Sequence, residues 1–147
     1  FAKSLPMVYV KTLRKTLDLV KNGDGNREHM WAMSNRLKSG LSELGFSVGP
    51  GQSPICSVFV PIGEHQLEYV GGQTVHFLRD RGVFVTAITY PVIPLGLLMF
   101  RMIPTAAHTV DDVDRTIHVF KEMRDSLSLK LSMSGEDEKK VRKVYGG

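Results

Sequence analysis

The stretch Leu97-Leu98-Met99-Phe100-Arg101-Met102-Ile103 places one charge among six apolar residues, and it decides how this part of the chain folds. A run of this kind predicts a strand, in which successive side chains point to opposite faces of a sheet. Arg101 then lies on the same face as Leu97, Met99 and Ile103. An unpaired buried charge costs several kcal/mol, so we expect the guanidinium to have an anionic partner. That partner is either a carboxylate of this protein, in an internal salt bridge, or a bound ligand.

The segments around this strand alternate between helical and strand patterns. Apolar residues at helical spacing predict three helices, over residues 5–21, 24–45 and 66–81. A fourth helix begins after Thr109, where Asp112 completes an N-terminal capping pattern. β-Branched and apolar runs predict strands over residues 56–62 and 83–88. This order predicts an α+β fold, in which helices pack on one face of a small antiparallel-type sheet and the last two strands are neighbours.

The composition is that of an ordinary globular protein, with 147 residues, 42% hydrophobic and 23% charged, and a net charge of +4. The basic residues follow no recognition motif, so we expect no nucleic-acid partner. No apolar run reaches the roughly 18–20 residues of a membrane span, and no signal peptide is visible. The single cysteine, Cys56, excludes an internal disulfide and is typical of a reducing compartment, which predicts a cytoplasmic protein.

Most side chains that carry chemistry match no motif. The histidines lack the spacing of metal ligands, so no metal site is expected. We expect His108, at a strand-to-helix junction, to hold the turn by hydrogen bonding, and Cys56 to be a buried, inert thiol. Residues 22–33 resemble a calcium loop only at their start, because Arg27 and Met33 replace the glycine and glutamate that the loop requires. No nucleophile, Walker or dinucleotide motif occurs, so no catalytic residue is assigned to this segment.

Two segments that flank the Arg101 strand carry a more specific pattern. They read Tyr90-Pro91-Val92-Ile93-Pro94-Leu95-Gly96 and Pro104-Thr105-Ala106-Ala107-His108-Thr109. Together with Arg101 and the opening Ser4-Leu5-Pro6, they resemble the C-terminal small domain of the α-oxoamine synthases, enzymes of aminotransferase fold type I. These pyridoxal-phosphate (PLP) acyltransferases include serine palmitoyltransferase, 2-amino-3-ketobutyrate CoA ligase and 8-amino-7-oxononanoate synthase. The resemblance spans roughly residues 1–125.

The resemblance implies an enzyme that condenses a small amino acid, serine or glycine, with an acyl-CoA, releasing CoA and usually CO2. It also implies PLP as the cofactor and a homodimer as the assembly. Arg101 matches the arginine that binds the α-carboxylate of the amino acid. A bidentate guanidinium fork orients a carboxylate more firmly than a lysine does, which explains why an arginine suits this role. Leu95 departs from the pattern, because relatives often carry a lysine there.

The lysine that binds the cofactor in this family lies upstream of the Ser-Leu-Pro motif, in a large domain, and these residues contain no counterpart. We therefore expect the chain to be the C-terminal part of a longer enzyme, inactive by itself. The predicted division is a helical connector over residues 1–45, the small α+β domain over residues 46–130, and a charged, solvated tail over residues 131–147.

Two other functions stay open on the sequence alone. The first is a non-catalytic partner subunit, which has the same fold but lacks the lysine. The second is a stand-alone α+β module that holds an anionic ligand at Arg101. A lysine encoded upstream of Phe1 distinguishes the enzyme from the partner subunit. The effect of Arg101→Ala distinguishes ligand binding from an internal salt bridge, because loss of a salt bridge lowers stability and leaves ligand affinity unchanged.

Overall fold

The computed structural model describes residues 4–145. The helices in this part of the chain are α1 (Met7–Lys21), α2 (Asp24–Glu43), α3 (Leu67–Asp80), α4 (Val110–Ser126) and α5 (Gly135–Val144). The strands are β1 (Ser47–Val48), β2 (Cys56–Pro61), β3 (Thr86–Ile88) and β4 (Leu97–Met102). All four strands are antiparallel in one sheet of order β1-β2-β4-β3. The predicted α+β class is confirmed, and so is the pairing of the last two predicted strands.

One face of the sheet carries the main hydrophobic core. Alternation along β4 directs Leu98, Phe100 and Met102 to this face, where they pack with buried side chains of α2, α3 and α4. The Phe100 ring meets Phe120 of α4 edge to face, with ring centroids 5.5 Å apart. Full burial of a side chain of this size contributes about 1.5–3 kcal/mol. The apolar run that predicted β4 therefore builds the centre of the fold.

The opposite face of the sheet carries a second, smaller cluster. Its buried members are Phe59, Ile88, Ile93, Leu97, Met99 and Val141. Val141 belongs to α5, which lies in the segment that the sequence predicts to be a solvated tail. The segment is charged, as expected, but Ser134 and Asp137 cap a helix there and Val141 is only 5% exposed. The segment therefore packs on the sheet through one buried valine, which covers part of the face that helices α2 to α4 leave free.

The first two helices differ in what they bury. Helix α2 contributes Met33, Leu37 and Leu41 to the main core, whereas α1 buries none of its side chains. Gly45 follows α2 with φ of +89°, a left-handed conformation that glycine adopts without a steric penalty. The domain division at residue 45 stays a prediction, but α2 packs with the sheet that follows it.

Candidate functional site

Arg101 lies next to the C-terminal end of β4, between two hydroxyl side chains. Its register partners are Ser57 of β2 and Thr86 of β3. Side chains directly opposite each other in an antiparallel pair share a face, about 4.5–5.5 Å apart at Cβ. Ser57, Arg101 and Thr86 therefore form one line across three strands, which we name the polar row. It lies on the face opposite the main core, as the alternation with Leu97 and Met99 predicts.

The Arg101 side chain is exposed, although the apolar run around it predicted a buried or half-buried strand. Several arginines form ion pairs within residues 4–145, among them Arg36 with Asp114 and Arg81 with Glu122. None of the ion pairs in this part of the chain includes Arg101. The described residues thus do not contain the internal salt bridge that the sequence left open. Within the described part of the chain, its donors are therefore available to a ligand.

A cleft of about 560 Å³ opens beside Arg101. Its lining combines apolar groups such as Ile103 and Pro104 with six polar side chains, which are Thr86, Arg101, His108, Asp112, Arg115 and Thr116. A concave site that combines apolar walls with several polar groups can bind a small molecule. The cleft therefore fits a small ligand that carries one anionic group.

The wall of this cleft at Pro104–Thr109 is held by His108. Its Nδ1 atom accepts a hydrogen bond from the backbone N–H of Thr105 at 3.0 Å and lies 2.9 Å from the Thr105 hydroxyl. Nε2 of His29, in α2, donates to the His108 carbonyl oxygen at 2.8 Å. These contacts confirm the predicted structural role of His108. They fix the loop that directly follows the Arg101 strand.

The start of α4 completes that wall. The backbone N–H and hydroxyl of Thr109 both donate to the Asp112 carboxylate at 2.8 Å, and the Asp112 N–H donates back to the hydroxyl at 3.2 Å. The backbone hydrogen bond from Thr109, followed by that from its hydroxyl, lowers the pKa of Asp112. Asp112 is thus an ionised capping residue, and its role as a helix cap accounts for its place beside the cleft.

A second arginine lines the cleft, but its guanidinium already has a structural partner. Arg115 of α4 donates from Nη2 to the carbonyl oxygen of Arg81 at 3.1 Å, at the C-terminal end of α3. Ser57, Thr86 and Arg115 were all missed at the sequence level. Their proximity to the site depends on strand register and helix packing, which leave no local sequence signal.

Cys56 is buried, and burial raises the pKa of its thiol to about 11. A thiol with this pKa is almost wholly protonated at neutral pH and is a poor nucleophile. The predicted inert cysteine is confirmed.

Among residues 4–145, no group of three or more histidine, cysteine and carboxylate side chains is arranged to bind a metal ion. None of the described helices is long and apolar enough to cross a membrane.

Comparison with known proteins identifies the family. Residues 1–120 match the family described as aminotransferase class I and II, and the chain belongs to it. The resemblance that residues 90–109 suggested is confirmed at this level. The match ends at residue 120, within α4, and does not reach α5.

The curated relatives are named as an acyltransferase, a synthase and a coenzyme A ligase. The chain is 38% identical over 128 residues to a cysteate-C-fatty acyltransferase of Capnocytophaga ochracea, 30% identical over 129 residues to an 8-amino-7-oxononanoate synthase of Alkaliphilus oremlandii, and 32% identical over 123 residues to the mitochondrial 2-amino-3-ketobutyrate coenzyme A ligase of Mus musculus. These matches cover 86%, 88% and 84% of the chain. The chain spans 30%, 31% and 28% of the length of these relatives.

Solved structures show the same fold. A serine palmitoyltransferase of Sphingomonas wittichii matches with a TM-score of 0.72 and 21% identity, over 87% of this chain and 31% of that one. A serine palmitoyltransferase variant of S. paucimobilis, solved with a PLP–myriocin adduct, matches with a TM-score of 0.69 and 23% identity, over 87% and 31% of the two chains. The small antiparallel sheet with its helices is therefore an established part of larger enzymes.

Proposed function

We propose that this chain is part of a PLP-dependent acyltransferase that condenses an amino acid with an acyl-CoA, releasing CoA and usually CO2. Family membership and the names of the relatives support the class of reaction. The observation that carries the proposal in this structure is Arg101, an exposed arginine without an ion-pair partner among residues 4–145, on the wall of a cleft. Its role is to bind the α-carboxylate of the amino acid.

The geometry explains how Arg101 serves this role. Its backbone pairs with β2 on one side and β3 on the other, which restricts the position of the guanidinium. A carboxylate accepts two parallel hydrogen bonds from a guanidinium, which fixes the plane of the carboxylate and hence the orientation of Cα. The hydroxyls of Ser57 and Thr86 extend the same row and are placed to accept or donate to a polar group next to that carboxylate.

The described residues fit the binding of substrate but not the covalent attachment of the cofactor. No lysine lines the cleft in the part of the chain that the structure describes. PLP, when bound, supplies an electron sink for the bond cleaved at Cα. The resemblance implies that its lysine, and the aspartate that pairs with its ring nitrogen, lie in a large domain upstream of the Ser-Leu-Pro motif. The chain by itself is therefore proposed to be inactive.

Serine and glycine are the amino acids that we propose first, because the loop residues 104–109 resemble those of the serine and glycine enzymes of the family, and one structural neighbour is a serine palmitoyltransferase. A second candidate is cysteate, which the name of the 38% identical relative specifies. Cysteate carries a sulfonate besides its carboxylate and therefore needs a second polar contact. Competition among serine, glycine and cysteate in one reaction, with the products separated by mass, decides between the candidates.

A homodimeric assembly and a cytoplasmic location complete the proposal. The dimer is supported by the resemblance alone, and the location by the single reduced and buried cysteine. Analytical ultracentrifugation and fractionation of cells that express the full polypeptide test these two parts separately.

The experiment on Arg101 compares the full polypeptide with its Arg101→Ala and Arg101→Lys variants. Loss of hydrogen bonds to a charged group costs about 1.5–3 kcal/mol, so Arg101→Ala is expected to raise the KM for the amino acid roughly 10- to 150-fold. Turnover is expected to fall as well, because orientation is lost, and Arg101→Lys recovers only part of the binding. The KM for acyl-CoA should not change.

Arg79→Ala is the matched control, because this arginine is exposed and does not line the cleft. It should leave both KM values unchanged. An active parent enzyme whose amino-acid KM is the same in the Arg101→Ala variant would refute the role of Arg101. A parent polypeptide that forms no CoA from any of the three amino acids would refute the proposed reaction.

A further inference from the structure

Helix α5 lies outside the residues that match the family, yet it covers the sheet face that carries Arg101. The match ends at residue 120 and α5 begins at Gly135. Val141 of α5 is buried in one cluster with Phe59, Leu97 and Met99. A segment that the family description does not include thus packs beside the candidate site.

The C-terminal end of this segment packs on the sheet through Tyr145. The Tyr145 ring packs edge to face on Phe59, with centroids 6.2 Å apart. It also lies directly over two glycines of the segment between β1 and β2. A Cβ at Gly49 would lie 2.6 Å from the Tyr145 Cζ atom, and a Cβ at Gly51 would lie 2.9 Å from its Cε1 atom. A side chain at either position would require this ring to move, so the observed contact depends on the two glycines.

The strand register relates the packing site of Tyr145 to Arg101. Phe59 of β2 and Ile88 of β3 both pair with Met99 of β4, so the three side chains form a second line across the sheet, which we name the apolar row. The apolar row and the polar row share a face and are two residues apart, about 6.6–6.8 Å along the strands. Val141 and Tyr145 therefore pack on the row next to the one that contains Arg101.

The same helix also contacts the loop that leads into β4. Ile93 of that loop is buried in the cluster with Val141. The Lys140 ammonium lies 3.5 Å from the carbonyl oxygen of Leu95. Residues 90–96 join β3 to β4, so α5 contacts both the apolar row and the segment that joins its two strands.

We propose that α5 is a strap that positions Arg101 for the amino acid, with Val141 and Tyr145 as its positioning residues. This inference rests on the proposed function of Arg101. The strap immobilises the apolar row and residues 90–96. The adjacent polar row then presents the guanidinium in one fixed orientation. Without the strap, β4 and its leading loop move more freely, and the amino acid is bound more weakly.

Two variants of the full polypeptide remove the strap by different routes. Val141→Asp places a charge in the apolar cluster, and Tyr145→Ala removes the ring that packs on the two glycines. Val141→Ile and Tyr145→Phe keep the apolar contacts and are expected to behave as the parent does. Lys139→Ala is the matched control, since Lys139 is an exposed residue of the same helix.

The first readout needs neither cofactor nor substrate. Hydrogen exchange of peptides that cover residues 90–102 is expected to be about tenfold faster in Val141→Asp and Tyr145→Ala, because local opening becomes less costly. Exchange should be unchanged in Lys139→Ala. Equal exchange in all variants would overturn the strap as a structural element, whatever the activity of the enzyme.

The second readout separates positioning from stability. The KM for the amino acid is expected to rise about tenfold in both strap variants, with the KM for acyl-CoA unchanged, because a displaced binding group loses orientation. Faster exchange with an unchanged amino-acid KM would overturn the positioning role. A parent enzyme whose kinetics do not depend on Arg101 would refute the proposed function instead, and the exchange data would then decide the strap alone.

Discussion

Gly40 is the point at which the packing of α2 on α4 can be tested with a single methyl group. A Cβ at this position would overlap the Ile117 Cδ1 atom and would lie 3.1 Å from Cγ1 and 3.3 Å from Cγ2. Ordinary carbon contacts lie at about 3.5–4.0 Å, so the Ile117 side chain must move to make room for the added methyl group. The two helices approach this closely because position 40 is a glycine.

The expected change in the free energy of unfolding follows from two opposing effects of Gly40→Ala. An alanine in a helix interior is about 0.8–1.0 kcal/mol more favourable than a glycine. Overpacking a fitted contact costs about 1–3 kcal/mol. The sum predicts a net destabilisation of about 1 kcal/mol. In an Ile117→Ala background the clash disappears, and the same change is expected to stabilise the protein by about 1 kcal/mol.

The assay is native-state hydrogen exchange of the α2 and α4 amides in the full polypeptide, in a cycle of the parent, both single variants and the double variant. This local readout avoids the unfolding of other parts of a larger protein. The change of sign between the two backgrounds corresponds to a coupling free energy of about 2 kcal/mol. An equal effect of Gly40→Ala in both backgrounds would refute the packing of Gly40 on Ile117.

Two further predictions concern single groups. The pKa of Asp112 is lowered in the folded protein, so its contribution to stability is fully present above its unfolded pKa of about 3.9 and is lost as pH falls through the lower folded value. Thr109→Ala removes one side of the capping box and is expected to destabilise α4 by about 1 kcal/mol at neutral pH. Urea titrations at pH 2–7 should then show a weaker dependence of stability on acid pH. A loss of stability at low pH as steep as that of the parent would count against the cap. Burial raises the pKa of the Cys56 thiol to about 11, so alkylation by iodoacetamide at pH 8 should be at least about a hundredfold slower in the folded protein than in urea; equal rates would show that the thiol is accessible.

The elements that sequence reasoning predicts well are those with a local signal. The apolar run of β4, the stripe of Met33, Leu37 and Leu41 in α2, and the Thr109–Asp112 cap are each visible within a few residues, and all are present in the structure. Strand β1 was missed because two residues carry no periodicity.

The features that escaped prediction depend on long-range packing. The charge-rich sequence of residues 135–144 gives no indication that Val141 covers the second face of the sheet. Arg101 was placed on the correct face, but its exposure follows from where the apolar cover ends, which only the register of β2, β3 and β4 reveals. The hydroxyls of Ser57 and Thr86 join the site for the same reason.

The most direct measurement is a binding cycle between Arg101 and the carboxylate of the ligand. Dissociation constants for serine and for ethanolamine, which lacks the carboxylate, are measured with the PLP-loaded full polypeptide and with its Arg101→Ala variant. The account predicts that removing the carboxylate weakens binding to the parent roughly 10- to 150-fold and has almost no effect on binding to the variant. The same loss of affinity in both proteins would show that the carboxylate is bound elsewhere and would contradict the role of Arg101.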